Sequence, residues 1–272
     1  MTSSTPTKIV FGLVVPAAGS DLGERVDRLA GWMSERIGIP IERREAASYE
    51  ALADDVRAGR SDVAWLPPIV YLRLGETVTP LGSILRGGAA AYEAALIVRA
   101  SGAIRSIAAL RGTRAGWVDR WSAAGFVVPR VKLAHLGEDP RTLFRTETFH
   151  GSHRSAIQAL LEGACDVAGT YAQADEKGNV SAGAWSEIDG ADVRVLATFG
   201  AIPPDVIAVR SALSGDIRDE AFSAFKSACA DASKRHLVRD VFSGDDLTEG
   251  LAPGYDTLQQ ALDTATARGI FD

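Results

Sequence analysis

Residues 49–64, YEALADDVRAGRSDVA, and residues 153–168, HRSAIQALLEGACDVA, share one pattern. Each reads as an amphipathic helix, then a glycine, then a strand that opens on Asp-Val-Ala. Three pairs of residues keep the same offset of 104 positions: Gly59 with Gly163, Asp62 with Asp166, and Gly12 with Gly116. One constant offset in two separated motifs predicts a duplicated architecture. The alternative is that any two strand–helix units resemble each other to some extent.

The rest of the chain alternates short β-branched runs with helical stretches, from a strand at 8–15 to a closing helix at 255–268. Such alternation is typical of βαβ units around a mainly parallel sheet. The sequence therefore predicts an α/β fold of two similar lobes with a ligand cleft between them. The Gly-rich stretch 178–190 is predicted to be a surface loop, and the Pro-Pro pairs at 67–68 and 203–204 are predicted to lie in loops.

The predicted lobes are discontinuous in sequence. Lobe 1 is expected to comprise residues 1–96 plus 206–272, and lobe 2 residues 97–205. Extended segments at 92–99 and 205–210 cross between them and are predicted to act as the hinge for closure.

The composition excludes several classes of protein. Of the 272 residues, 46% are apolar and 24% are charged, as in soluble globular proteins. A net charge of −6 argues against a nucleic-acid-binding surface. The cysteines, Cys165 and Cys229, have no metal-ligand spacing and form no disulfide framework. No GxSxG, Walker A, HExxH or GxGxxG motif is present, so we predict no catalytic residue, no cofactor and no metal.

The start of the chain bears on where the protein acts. Residues 1–8 are polar and lack the basic and apolar regions of a secretory signal peptide. As the chain stands, this predicts a cytoplasmic location. The alternative is a periplasmic or lipoprotein-anchored protein whose leader has been removed. No apolar run is long enough for membrane insertion.

The repeat predicts where a ligand binds before any chemistry is considered. Ligands of α/β sheets sit outside the carboxyl ends of the strands, at helix N-termini. The loops expected to face each other across the cleft are 15–21 with 119–125, and 47–50 with 150–154.

The first candidate site follows the strand at 113–118. Ser122 is placed to cap the next helix, and Gly125 allows close approach of the backbone. The N–H groups of Ala123 and Ala124 lie at the same helix start and are candidate contacts for an anion. Trp121 is predicted to form part of the pocket wall. The alternative is an ordinary N-cap without a ligand.

A second loop carries Ser152 and His153 at another helix start. His153 matches Tyr49 at the same offset, so we expect it to donate to an anionic oxygen; an isolated histidine is otherwise a surface or core residue. Tyr49 and Tyr92, near strand ends, are predicted to line the pocket. Asp205 is predicted to face a ligand amine, with a solvated loop carboxylate as the alternative.

Several of these motifs together resemble a known family. The run DVAWLPPIVYL, the LRG before strand 113–118, the stretch DRWSAAGFVVP and the block beginning FHGSH are similar to phosphate, phosphite and phosphonate substrate-binding proteins of ABC transporters. The similarity runs from about Val10 to Arg210. It implies a type 2 periplasmic-binding-protein fold and binding of an oxyanion for uptake or sensing, without covalent chemistry.

The resemblance also implies roles for individual residues. A Ser-Thr-Ser-Gly motif grips the phosphonyl oxygens in that family, and here the positions are Ser122, Ala123, Ala124 and Gly125. The binding tyrosines look like Tyr49 and Tyr92, and the histidine looks like His153. The carboxylate that meets a ligand amine is matched by Asp205, whereas a family glutamate is replaced by Gln173.

The two alanines are a departure from that pattern. Each lost hydroxyl removes a hydrogen bond to a charged group worth roughly 1.5–3 kcal/mol, and a less charged ligand would suit Trp121 and the alanines better. The expected partners are a small-molecule ligand and an ABC permease, and the protein is predicted to be a monomer. The alternatives are a cytoplasmic enzyme on the same fold, of the menaquinone-pathway type, and a ligand-sensing regulatory protein.

Overall fold

The computed structural model describes residues 6–15, 21–86, 88, 91–174 and 179–271. Within these ranges the strands are β1 Ile9–Val14, β2 Ile41–Ala46, β3 Val63–Leu66, β4 Val78–Leu85, β5 Tyr92–Arg99, β6 Arg114–Trp117, β7 Thr146–Phe149, β8 Val167–Ala174, β9 Val180–Gly183, β10 Val193–Ile202, β11 Val206–Arg210 and β12 Asp246–Leu247. The helices are α1 Leu22–Ile37, α2 Tyr49–Arg57, α3 Pro68–Leu74, α4 Val128–His135, α5 Pro140–Leu143, α6 His153–Leu161, α7 Gly215–Ala230, α8 Arg235–Phe242 and α9 Tyr255–Ala267.

The chain divides into two compact units. Unit 1 comprises residues 1–90 and 204–255, and unit 2 comprises residues 91–203 and 256–272. This division differs from the predicted bounds, which assigned all of 206–272 to lobe 1. The C-terminal segment belongs to unit 2, where the buried Arg130 guanidinium donates from Nε and Nη2 to the Ile270 carbonyl, at 3.0 and 2.9 Å. Strand β5 lies wholly in unit 2, and the hinge role of 92–99 and 205–210 stays a prediction.

Unit 1 is built on a sheet with the strand order β12-β4-β11-β3-β1-β2. Strand β1 pairs in parallel with β2 and β3, whereas β11 runs antiparallel to β3 and to β4. The carboxyl ends of β1, β2, β3 and β4 and the start of β11 therefore share one edge. Phe11, Phe225 and Phe242 pack against one another in the core beneath this sheet, with ring centroids 6.1–6.5 Å apart.

Unit 2 repeats this arrangement. Its main strand order is β10-β5-β8-β6-β7, with β6 parallel to β7 and β8, and with β5 antiparallel to β8. The carboxyl ends of β6, β7 and β8 and the start of β5 share one edge. Trp117, which is fully buried, packs against Phe126 and Phe144 beneath it.

The predicted duplication is confirmed at the level of single hydrogen bonds. Asp62 accepts from the backbone N–H of Val10 at 3.0 Å, and Asp166 accepts from that of Arg114 at 3.0 Å. Each aspartate thus ties the start of one parallel strand to its neighbour, at equivalent positions 104 residues apart. The strand register also repeats, since Gly12 pairs with Ala64 and Gly116 with Ala168.

The two glycines are required for the same reason in both units. A Cβ at Gly12 would lie 2.5 Å from the Ser61 Oγ, and one at Gly116 would lie 2.7 Å from the Cys165 Sγ. The residue before the Asp-Val-Ala motif therefore packs against the first strand in each unit, which explains the shared glycine pattern in the sequence.

Asp166 makes the stability of unit 2 depend on pH. The hydrogen bond from the Arg114 guanidinium, at 2.7–3.0 Å, lowers the pKa of Asp166 to about 2. Because this pKa lies below the value of about 3.9 in an unfolded chain, the ionised carboxylate stabilises the fold above pH 4 and stops doing so as the pH falls towards 2.

We expect Asp166→Asn to lower the free energy of unfolding by about 1–2 kcal/mol at pH 7, after allowance for partial exposure of the pair. Urea unfolding at pH 7, 5 and 3 checks this, because the difference from the wild type shrinks at pH 3. Asp219→Asn is the control, since that side chain is 75% exposed, and its effect stays within about 0.5 kcal/mol. An Asp166→Asn penalty independent of pH would contradict the assignment.

Three local predictions were wrong or incomplete. The Pro67–Pro68 stretch is not only loop: Pro68 begins α3, a position that proline favours because its missing N–H has no helical acceptor. The stretch 178–190 contains β9, which pairs with β8, and a short 3₁₀ turn at 184–187. Strand β2 was not predicted because its sequence, IERREA, is polar at an edge position.

None of the helices in the described part of the chain is both long enough and apolar enough to span a membrane.

Candidate functional site

The first predicted loop lies at the carboxyl end of β6. Residues 118–122 lead into one turn of π-helix, Ala123–Val127, which continues directly into α4. Ser122 is 3% exposed and caps this turn: its Oγ accepts from the Gly125 N–H at 3.0 Å. Because Oγ acts as the acceptor, the Ser122 hydroxyl proton is available to a ligand oxygen.

Gly125 is held against the preceding strand end. A Cβ at this position would lie 2.4 Å from Val118 Cγ2 and 2.8 Å from the Ser122 Oγ. Only glycine therefore allows this helix to start so close to the strand. The prediction of close backbone approach is confirmed.

The two alanines place backbone groups at the same helix start. Ala123 and Ala124 are each 2% exposed. As the first residues of a helical segment, they present N–H groups that have no acceptor within the helix. Such groups, with the helix dipole, favour an anion. Trp121 is buried beside them, and its backbone N–H donates to the Asp119 carboxylate at 2.7 Å.

The second predicted loop lies at the carboxyl end of the adjacent strand β7. Gly151 has a φ of +77° there and donates its N–H to the Val118 carbonyl at 2.8 Å. This bond joins the two loops. Ser152 caps α6, since its Oγ accepts from the Ser155 N–H at 3.1 Å.

His153 is the first residue of α6, and its ring is fixed on two sides. Nδ1 lies 3.0 Å from the hydroxyl of Thr170, a fully buried residue of β8, and the ring packs edge-on against Tyr171 at 5.0 Å. With Thr170 as the donor to Nδ1, the ring carries its proton on Nε2 and acts as a donor there. Thr170 was not singled out in the sequence, because its role depends on a contact across 17 residues.

A neighbouring histidine, His150, is less readily protonated. Burial lowers its pKa below the usual range, and its Nε2 lies 3.0 Å from the Thr148 hydroxyl. Arg120, also absent from the predictions, lies over the Phe149 ring at 4.8 Å. It is a cation on the loop next to Ser122.

Tyr92 and Gln173 lie at the same edge of the unit 2 sheet. Tyr92 begins β5, and the adjacent Glu93 pairs with Ala172 near the end of β8. Gln173 is exposed on β8. The sheet edge of unit 2 therefore gathers Ser122, Ala123, Ala124, Gly125, Ser152, His153 and Tyr92.

The remaining predicted residues lie in unit 1, at the equivalent edge of its own sheet. Tyr49 is the first residue of α2, whose cap Ser48 accepts from the Ala51 N–H at 3.1 Å. It follows β2 as His153 follows β7. The predicted loop 15–21 lies, except for its two ends, outside the described residues.

Asp205 directly precedes β11 and has partners within unit 1. Its Oδ2 accepts from Arg86 Nη2 at 2.8 Å and from Trp65 Nε1 at 3.1 Å. The carboxylate is thus paired with a cation, which the sequence did not indicate because Arg86 lies 119 residues away. Trp65 is half-buried and contacts Phe242 edge-on at 5.0 Å.

The unit 2 edge is suited to bind an anion. It combines two adjacent helix starts, a buried serine hydroxyl and a histidine held in one orientation. In the described part of the chain, no group of three His, Cys, Asp or Glu side chains is arranged to hold a metal ion.

Comparison with known proteins is consistent with this chemistry. A curated relative, the "Phosphate-import protein PhnD" of Mycolicibacterium smegmatis, is 26% identical over 222 residues, which cover 74% of this chain and 69% of that protein. Two solved structures share the fold. A binding-protein component of a phosphonate ABC transporter from Pseudomonas aeruginosa has a TM-score of 0.78 at 18% identity, covering 94% of this chain and 88% of its own.

The second is PhnD1 from Prochlorococcus marinus in complex with methylphosphonate, with a TM-score of 0.80 at 13% identity, covering 96% of this chain and 99% of its own. The family model for periplasmic substrate-binding proteins of phosphonate ABC transporters matches residues 11–251. The predicted family and its α/β fold are confirmed, and the chain belongs to the periplasmic phosphonate-binding proteins of ABC transporters.

Proposed function

We propose that this protein binds phosphate, phosphite or a small alkylphosphonate at the carboxyl edge of the unit 2 sheet. The observation that carries the proposal is the pair of adjacent helix starts, capped by Ser122 and Ser152 and joined by the Gly151–Val118 hydrogen bond. Backbone N–H groups at such starts bind tetrahedral oxyanions. The phosphate named for the curated relative and the methylphosphonate bound by the structural neighbour support this ligand class.

In this proposal the Ser122 hydroxyl and His153 Nε2 donate to the phosphonyl oxygens, together with the N–H groups of Ala123 and Ala124. Tyr49, Tyr92 and Asp205 stay predicted ligand contacts. With alanine at two of the three family hydroxyl positions, the backbone carries a larger share of the binding, and affinity is lower than three hydroxyls would give.

The role that fits the family is delivery of a bound ligand to an ABC permease. The protein performs no covalent chemistry in this proposal and acts as a monomer. Members of the family act in the periplasm, and the cytoplasmic location expected from the sequence stays a prediction. Cell fractionation, with detection of the protein in the osmotic-shock fluid or in the cytosol, distinguishes the two.

The test is calorimetric titration of the protein with phosphate, phosphite and methylphosphonate. We expect at least one to bind, and Ser122→Ala to weaken that binding about ten- to a hundredfold, as for a hydrogen bond to a charged acceptor worth about 1.5–3 kcal/mol. His153→Ala is expected to have an effect of the same order.

Ser186→Ala is the matched control, because Ser186 lies in the turn at 184–187, where its Oγ accepts a local hydrogen bond from the Gly183 N–H. The Ser186→Ala protein is expected to bind the oxyanion with the same affinity as the wild type. Absence of binding across the three oxyanions, in protein that unfolds cooperatively, overturns the proposal. Mass-spectrometric detection of turnover of an added metabolite would overturn the statement that the protein performs no covalent chemistry.

A further inference from the structure

Thr170 is a buried polar residue on strand β8 of unit 2. Its side chain has no solvent exposure. Among the hydrogen bonds of the described residues, the one that its hydroxyl makes joins it to His153 Nδ1 at 3.0 Å. A buried hydroxyl without a partner destabilises a protein, because its bonds to water have been lost. The Thr170 hydroxyl therefore depends on the ring at the start of α6 for its partner.

The direction of this hydrogen bond follows from the same argument. If His153 carried its proton on Nδ1 and donated it, the Thr170 hydroxyl proton would have no acceptor among the described residues. If Thr170 donates, the hydroxyl proton and the Nδ1 lone pair are both satisfied. A neutral histidine carries one ring proton, which is then on Nε2.

The internal repeat shows that the packing of the strand does not require this hydroxyl. The residue 104 positions before Thr170 is Leu66, and it is also fully buried. The two residues occupy equivalent strands, since β3 pairs antiparallel with β11 and β8 pairs antiparallel with β5. The residue equivalent to His153 is Tyr49. The buried hydroxyl thus occurs in the unit whose helix begins with histidine.

A second contact restricts the orientation of the same ring. The ring of Tyr171 packs edge-on against His153, with centroids 5.0 Å apart. Tyr171 is itself held, because its hydroxyl donates to Glu187 Oε1 at 2.5 Å. A rotation of the histidine ring away from this position would break the bond to Thr170. The ring is therefore oriented by the protein before any ligand binds, which lowers the entropic cost of binding.

We infer that Thr170 is a positioning residue for His153, which holds the ring proton on Nε2 and the ring in the orientation that serves the oxyanion. The inference rests on the proposed function, in which His153 Nε2 donates to the ligand. All the residues concerned lie in unit 2, and Thr170, being fully buried, acts through the histidine.

The first test is calorimetric titration of Thr170→Val and Thr170→Ser with methylphosphonate and phosphate. Valine keeps the shape of threonine but removes the hydroxyl, and we expect it to weaken binding about three- to tenfold. Serine keeps the hydroxyl and is expected to restore the wild-type affinity to within about twofold. Thr146→Val is the matched control, because Thr146 is exposed at the start of β7 in the same sheet. It is expected to leave the affinity unchanged.

A double-mutant cycle distinguishes positioning from a general effect on the fold. In a His153→Ala protein the ring is absent, so adding Thr170→Val is expected to cause no further loss of affinity. An equal loss with and without His153 overturns the inference. Wild-type affinity in folded Thr170→Val protein overturns it as well.

Nitrogen-15 NMR of histidine-labelled protein tests the hydrogen bond without any ligand. The spectrum is recorded at about pH 8, above the usual histidine pKa of about 6.5, and His153→Gln identifies the ring among the four histidines of the chain. We expect the proton on Nε2. The Nδ1 resonance is expected to move in Thr170→Val, where its hydrogen bond is lost, and to return in Thr170→Ser. A proton on Nδ1, or an Nδ1 resonance unchanged in Thr170→Val, overturns the inference.

The two measurements separate this inference from the function on which it rests. Oxyanion binding by a wild type that carries the His153 proton on Nδ1 overturns the inference alone. The expected NMR result in a protein that binds neither phosphate nor a phosphonate overturns the proposed function, and with it the part of the inference that concerns the ligand.

Discussion

Gly125→Ala is expected to destabilise the protein by about 2–3 kcal/mol and to weaken oxyanion binding at least tenfold. The added methyl group would lie 2.6 Å from Val118 Cβ and 2.4 Å from its Cγ2. Neither atom is the end of a flexible side chain, so the backbone of the loop must move. That movement displaces Ser122 and the N–H groups of Ala123 and Ala124 together.

Urea unfolding and calorimetric titration with methylphosphonate or phosphate measure the two effects. Gly31→Ala is the control, since Gly31 lies in α1 with no atom within 4 Å of the added Cβ. Alanine there is expected to stabilise the protein by about 0.5–1 kcal/mol, through its higher helix propensity. Wild-type affinity in a folded Gly125→Ala protein would show that the helix start does not contact the ligand.

Arg130→Met is expected to lower the free energy of unfolding of unit 2 by about 3 kcal/mol. Arg130 is 3% exposed, and besides its two bonds to the Ile270 carbonyl it donates to Glu147 at 2.5 Å. Methionine keeps much of the volume but none of these bonds. Glu147 then retains only the Trp117 indole N–H, at 2.6 Å, among the contacts described here.

Chemical denaturation measures the loss, and limited proteolysis is expected to release the segment after α9 more rapidly. Arg111→Met is the matched control, because Arg111 also pairs with a glutamate, Glu138, but is 66% exposed. An exposed pair of this kind contributes about 0–1 kcal/mol. Similar losses in both variants would contradict a specific role for the buried arginine.

The sequence predicted what is periodic or locally repeated. The offset of 104 residues was visible because the Gly12, Asp62 and Gly116, Asp166 positions obey the same packing and hydrogen-bond rules in each unit. The capping serines were also predictable, since a cap is a contact within three residues. Helix starts and strand ends therefore predicted the position of the candidate site from the sequence alone.

Side-chain contacts between residues that are distant in sequence were not predictable. The Arg86–Asp205 contact joins the residue after β4 to the residue before β11, two strands that are adjacent only in the folded sheet. The contact between the Arg130 guanidinium and the Ile270 carbonyl joins residues 140 positions apart. No periodicity, spacing or turn motif in the sequence distinguishes Arg86 or Arg130 from an arginine on the surface.

The interleaved order of the two units has a consequence for biosynthesis. Unit 1 is interrupted by residues 91–203, so its two parts are separated by roughly 6–23 s of translation at about 5–20 residues per second. Strands β11 and β12 and helices α7 and α8 are made after that interval. The contacts of unit 2 are in turn complete only after Ile270 has been synthesised, because the Ile270 carbonyl accepts a hydrogen bond from Arg130. Each unit can therefore complete its native packing only after its second part has been made.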